Sequence, residues 1–168
     1  MTEPIKTDEM RHELLNLGGG AYALAVQILG NAEDAADAVH DALAAALGRP
    51  GIYDAQKGPV KPWFLRMVRN RSIDLLRRRR STSDRVEELA DAAPGPAEAA
   101  EAADDERILN LALAALESDQ RQIIVLRDYM DLTYAEIAAV LDIAKGTVMS
   151  RLHRARIALR NAYREHDG

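Results

Sequence analysis

Apolar residues recur along this chain every three or four positions, in runs separated by glycine, proline and polar clusters. That period is the signature of amphipathic helices. "TDEMRHELLNLGGGAYALAVQILG" carries it with an interruption at Gly18–Gly20, which predicts a helix, a break and a second helix. "NAEDAADAVHDALAAAL" predicts a third. Asn31 suits its N-cap, and Glu33 and Asp34 fall in the first turn, where carboxylates favour the helix dipole. A Gly- and Pro-rich loop, "GRPGIYDAQKGPVKP", precedes a long helix, "WFLRMVRNRSIDLLRRRR". Further on come "ERILNLALAALES", "DQRQIIVLRDYM" and a helix–turn–helix pattern, "LTYAEIAAVLDIAKGTVMSRLHRAR". Between the two sets, Ser81 to Glu106 holds almost no large apolar residue and places Pro94 and Pro96 around Gly95. Such a composition buries too little surface to order itself. The pattern therefore predicts an all-α chain of two small helical domains, 1–82 and 106–168, joined by a flexible acidic linker over 83–105. The second is predicted to be a four-helix domain containing the helix–turn–helix.

Composition narrows the class. The apolar content of 48% supports a packed core, and it is mostly Ala and Leu, with one Phe and one Trp. With no cysteine, disulfides and thiolate chemistry are excluded. No run approaches the roughly 20 apolar residues needed to span a bilayer, and the polar start "MTEPIKTDEM" is unlike a signal peptide. The expectation is a cytoplasmic protein without membrane insertion. The net charge of -5 is unevenly spread. Residues 1–50 carry -5, 51–85 carry +7, 86–119 carry -9 and 120–168 carry +2. Such asymmetry suits partners selected by sign of charge, although solvated faces of uneven charge would look the same.

Three stretches carry candidate chemistry. In the helix–turn–helix pattern, Ala138 falls where only a small side chain fits, Asp142 at the tight turn, and Val148 where it would plug the second helix onto the first. At ~100° per residue, Val148, Leu152, Ala155 and Leu159 form an apolar stripe, while Thr147, Ser150, Arg151 and Arg154 share another flank. That flank could enter a major groove, with Arg forks facing guanine edges or phosphates. In the long basic helix, Phe64, Leu65, Val68, Ser72, Leu75 and Leu76 share a buried arc. Trp63, Arg66, Asn70 and Arg77 lie opposite, within about 60° of one another. A Trp among basic groups suits a stacked base with neutralised phosphates nearby; packing under the preceding loop suits it equally. In the third helix Glu33, Asp34, Asp37 and Asp41 cluster on one face. A basic protein groove would complement that face, and simple exposure to solvent would account for it as well.

Together these residues resemble the extracytoplasmic-function (ECF) group of the sigma-70 family of RNA polymerase sigma factors. "GNAEDAADAVHDAL" is similar to the helix that binds core polymerase. "WFLRMVRNRSIDLLRRRR", above all "RN..ID..RRR", is similar to the promoter-melting and -10 element helix. "LTYAEIAAVLDIAKGTVMSRLHRARIAL" is similar to the helix–turn–helix that reads the -35 element. The resemblance covers nearly the whole chain. It implies that Asp34, Asp37, His40 and Asp41 lie on the surface facing core polymerase. It implies that Trp63, Arg66, Asn70 and Arg77 handle the melting strand, with the loop Ile52 to Pro62 holding a flipped-out base. Lys145, Thr147, Ser150, Arg151 and Arg154 would contact the -35 duplex. The implied partners are core RNA polymerase, promoter DNA and an anti-sigma factor. The chain departs from the family pattern at His40 and Leu43, at Ala36, and at Asp142-Ile143-Ala144, where the turn usually reads Gly-Ile-Ser.

No catalytic site, metal site or cofactor is expected. Asp74 and Asp128 are scattered, and the four His lack ligand spacing. A sigma factor, an autonomous helix–turn–helix regulator and an enzyme acting on nucleic acid are the function classes in play; tight operator binding without polymerase would mark the second.

Overall fold

The computed structural model describes residues 7–49, 51–82 and 102–168. Every regular element among them is helical. In the first half, α1 spans Thr7–Asn16, α2 Gly18–Leu29, α3 Ala32–Gly48 and α4 Val60–Thr82, with a short 3-10 turn at Ala55–Lys57. In the second half, α5 spans Ala102–Ala114, α6 Ser118–Ile124, α7 Tyr134–Leu141 and α8 Lys145–Asp167. The all-α, two-part architecture read from the sequence is what the chain forms. Residues 83–101, most of the predicted linker, lie outside the described residues; positions 102–105 are the first turn of α5.

Local chemistry explains most of the helix ends. Asn31 caps α3, its side chain accepting from the Asp34 N–H at 3.1 Å, after Gly30 has closed α2 in the left-handed region at φ 68°. Pro62 sits in the first turn of α4, where its missing N–H costs nothing. Thr133 and Glu136 form a reciprocal capping box at the start of α7. Two boundaries differ from the sequence reading. The break between α1 and α2 falls at Leu17, and Gly18–Gly20 open α2 rather than interrupting it. The run predicted as one helix over "DQRQIIVLRDYM" widens after Ile124 into a π turn, Val125–Tyr129, closed by Met130 N–H donating to the Val125 carbonyl at 2.9 Å.

In the first half, α2, α3 and α4 pack on one another around Leu24, Ala25, Ala35, Ala42, Phe64, Leu65 and Val68. Ser72 joins this core because its hydroxyl donates to the Val68 carbonyl at 2.8 Å. In the second half, α8 lies against α5, α6 and α7, with Val148, Leu152 and Ala155 buried. The two halves are in contact. α4 meets α7, and α2 meets α6 and the π turn. Gly20 lies at that contact: a Cβ there would meet the flexible thioether end of Met130.

Candidate nucleic-acid interface

The helix–turn–helix forms as the spacing predicts. Asp142 closes α7 in the left-handed region at φ 56°, ψ 50°, its N–H donating to the Ala138 carbonyl. Ile143 N–H donates to the same carbonyl at 3.1 Å. Ala144 caps α8 without a side-chain bond, and the Thr147 and Val148 amides bond its carbonyl instead. Val148 is fully buried and seats α8 on α7. The opposite flank is open. Lys145, Ser150, Arg151 and Arg154 are exposed and Thr147 is half-buried. Arg151 and Arg154 line one cleft with Glu117 and Asp119 at the start of α6.

On α4 a second cleft, of about 650 Å³, opens beneath the 51–59 loop. Trp63, Arg66 and Asn70 line it, joined by Ile52, Asp54 and Lys57 of the loop. Of the two readings the sequence left open for Trp63, packing under the loop is the one observed, and the ring also borders the cleft. It packs on Tyr53, ring centroids 5.0 Å apart at 52°. Tyr53 in turn donates its hydroxyl to the Gly58 carbonyl at 2.8 Å, which ties the loop down. Burial, then Glu13 and Asp54, pushes the Tyr53 phenol above its usual range, so it stays a donor. Met67 and Arg71 also line the cleft and were not singled out from the sequence; Asp74, read there only as a scattered acid, lines it too. They follow Trp63, Arg66 and Asn70 at three- and four-residue intervals, so the helical period could have found them. Arg71 Nε is buried there without a hydrogen-bond partner among the described residues. Arg77 is exposed but lies outside the cleft lining.

On α3 the structure corrects one expectation. Asp37, His40 and Asp41 are exposed, but Asp34 is not on the surface. It is 4% exposed and both its oxygens engage the Arg79 guanidinium of α4. The reason is position: Asp34 shares its turn with buried Ala35 and Ala38, and that edge of α3 packs on α4. Arg79 is thereby committed to an ion pair within the first half.

Across the junction of the halves, Arg69 Nε donates to Gln122 Oε1 at 2.7 Å, and Gln122 is buried. Burial pulls the Arg69 guanidinium below its usual range, with Asp119 opposing the shift. Arg121 donates to the Gln27 carbonyl through Nε and a terminal nitrogen, at 3.3 and 3.2 Å. Lys61 faces Glu136 at 3.8 Å, and Arg66 faces Asp142 at 3.6 Å.

These features define a class first: a two-part helical protein with a helix–turn–helix in one half and a basic, Trp-bearing cleft in the other. Residues 17–82 match the family described as Sigma-70 region 2, and residues 106–159 match Sigma-70, region 4. The ECF RNA polymerase sigma factor SigL of Mycobacterium tuberculosis is 32% identical over 146 residues, covering 86% of this chain and 82% of SigL. SigE of Mycolicibacterium smegmatis is 33% identical over 155 residues, and this chain spans 58% of its length and matches over 86% of its own. Among solved structures, the sigma factor RpoE in complex with the anti-sigma factor NepR from Bartonella quintana superposes with a TM-score of 0.75 at 27% identity, covering 94% of this chain and 98% of RpoE. CnrH, solved with the cytosolic domain of CnrY, shares the fold at a TM-score of 0.63 and 24% identity. The chain belongs to the ECF group of the sigma-70 family, whose members act in promoter-specific transcription initiation. Among the described residues no helix is long and apolar enough to cross a membrane.

Proposed function

We propose that this chain is a non-catalytic specificity subunit that binds core RNA polymerase in the cytoplasm, delivers it to a two-part promoter and helps open the duplex. One observation carries the reading: a single chain holds two separate basic reading surfaces, the α8 flank and the α4 cleft, beside an exposed acidic helix face. Asp37, His40 and Asp41 present that acidic face to the polymerase. Asp34 supports it from below through Arg79. Trp63, with Arg66 and Asn70, receives an unstacked base of the -10 element beneath the 51–59 loop. Stacking on the Trp ring is tolerant of sequence, and the Arg neutralises phosphate. Arg77 contacts the backbone further along α4. Lys145, Thr147, Ser150, Arg151 and Arg154 contact the -35 duplex, phosphates fixing register and Arg forks reading base edges. RpoE, solved with the anti-sigma factor NepR, motivates a further element, an anti-sigma factor for this chain.

The acidic total charge is consistent with this division of labour. A chain that borrows affinity from a larger enzyme need not bind DNA tightly by itself. In vitro transcription with core polymerase tests the proposal. Promoter-specific transcripts that depend on the chain are expected. If no complex with core forms and no promoter is used, the proposal fails.

A further inference from the structure

We infer that Tyr53 is a positioning residue for the α4 cleft. Its ring and its hydroxyl hold Trp63 and the 51–59 loop at a fixed separation, so the cleft stands formed before any base enters it. The inference rests on the function proposed above, in which Trp63 receives an unstacked base, and it names what sets the shape of that receptor.

The loop has local order of its own. At its start the Ile52 N–H donates to the Arg49 carbonyl at 3.0 Å. In its middle Asp54 caps the 3-10 turn, accepting from the Gln56 N–H at 2.9 Å. At its end Val60 is buried in the core of the first half. These contacts shape the loop but do not set its distance from Trp63. Tyr53 supplies that link. Its ring packs on the Trp63 ring at 5.0 Å, and its hydroxyl donates to the Gly58 carbonyl at 2.8 Å. One rigid phenol therefore spans from α4 to the far limb of the loop.

The acceptor end is as particular as the donor. Gly58 lies at φ 134°, ψ 177°, a region essentially confined to glycine. A Cβ there would meet nothing within 4 Å, so the position needs glycine for its backbone and not for room. A conformation closed to other residues thus presents the carbonyl that Tyr53 bonds.

The link matters because the two sides of the cleft do different work. Ile52, Asp54 and Lys57 come from the loop, and Trp63, Arg66 and Asn70 from α4. Stacking on the Trp face accepts any base. Discrimination needs a second wall at a set distance, so that polar loop groups meet the base edge without first being ordered. A loop cut from Tyr53 would leave stacking intact and discrimination weakened.

Two variants cut the tie at its two ends. Tyr53→Phe removes the hydroxyl and keeps the ring. Gly58→Ala introduces no clash but displaces the carbonyl. Trp63 is the only tryptophan of the chain, so its emission reports the site directly. In the free full-length chain both variants are expected to raise acrylamide quenching of Trp63, with circular dichroism unchanged. With core polymerase, opening rates are then compared on a promoter the chain uses and on single-base variants across its -10 element. Trp63→Ala marks the position whose base the cleft holds. At that position Tyr53→Phe and Gly58→Ala should each lower the discrimination ratio by about two- to tenfold, the loss of one hydrogen bond, and leave the other positions unchanged. The double variant should be no worse than the worse single one, because both cut the same tie. Unchanged discrimination in Tyr53→Phe would overturn the inference. Uniform slowing on every promoter would do the same, since it would make Tyr53 a support of the fold alone, and so would additive losses in the double variant. Discrimination insensitive to Trp63→Ala at every position would instead overturn the base-receiving role proposed above; raised quenching in both variants would still establish the tie.

Discussion

The Asp34–Arg79 pair yields a directional test, because its two ends differ in burial. The Asp34 side chain is 5% exposed and that of Arg79 is 55% exposed. Removing the acid by Asp34→Ala frees a guanidinium that water can reach at once. The loss is one charge-assisted contact and a favourable charge in the first turn of α3, about 1–2 kcal/mol in all. The Asn31 cap survives, since it uses the Asp34 backbone N–H rather than the carboxylate. Removing the base by Arg79→Ala leaves a carboxylate that cannot reach water. Breaking a fully buried pair costs about 3–5 kcal/mol. The α3 dipole and amides relieve part of this, so about 2–4 kcal/mol is expected.

The order is therefore Arg79→Ala worse than Asp34→Ala, although Arg79 looks like one member of a solvated Arg run. Urea denaturation of the full chain at neutral pH, followed by circular dichroism, measures both. Equal costs, or a greater cost for Asp34→Ala, would refute the assignment of Asp34 as a buried anion held by Arg79. Asp34→Asn adds a check. It keeps the shape and should cost no more than Asp34→Ala, because its amide can still bond nearby groups.

Other outcomes follow from the same geometry. Arg151→Ala should reduce promoter use through the upstream duplex by about 1–3 kcal/mol if the fork is bidentate to a base, read as the shift in half-saturating promoter concentration. Trp63→Ala should impair strand opening more than closed-complex formation, by about 1–3 kcal/mol for one stacked base; normal permanganate reactivity in the variant would count against that role. Reversing charge at Asp37 and Asp41 together should weaken the complex with core polymerase, and the deficit should shrink as salt rises because the face is exposed.

What the sequence disclosed and what it withheld divide along contact range. The Asn31 cap, the Asp142 turn and the Val148 plug each depend on residues within one or two turns, and their spacing was sufficient to read them. The buried arc of α4 was legible for the same reason, down to Ser72, which a four-residue back-bond makes acceptable in the core. Asp34 was misplaced because its burial depends on Arg79, 45 residues away. Gly18–Gly20 read as a break because three glycines weaken a helix locally. Gly20 lies against the Met130 side chain of the other half, a contact that no local rule reveals. The π turn at Val125–Tyr129 likewise has no periodic signature, since it shifts the phase of an otherwise regular apolar run.

Asp142 shows how far a local preference can be overruled, and by what. Holding a non-glycine residue in the left-handed region costs roughly 1 kcal/mol, somewhat less for Asp than for most. The ion pair it makes with Arg66 joins two exposed groups and contributes about 0.2–1 kcal/mol. The turn carries its backbone cost whether or not the halves touch, so only the second number bears on their contact, and it is a small one. Arg69 and Gln122 contribute more, because with the halves in contact the amide is out of reach of water, and removing Arg69 would leave it unpaired at about 1–3 kcal/mol. Asp142→Gly should therefore leave the isolated stability of the helix–turn–helix unchanged or raised, while Arg69→Ala should lower the stability of the whole chain. A thermal melt in which Asp142→Gly proved the more damaging of the two would reverse this ranking and make the turn, rather than the buried amide, the centre of the junction.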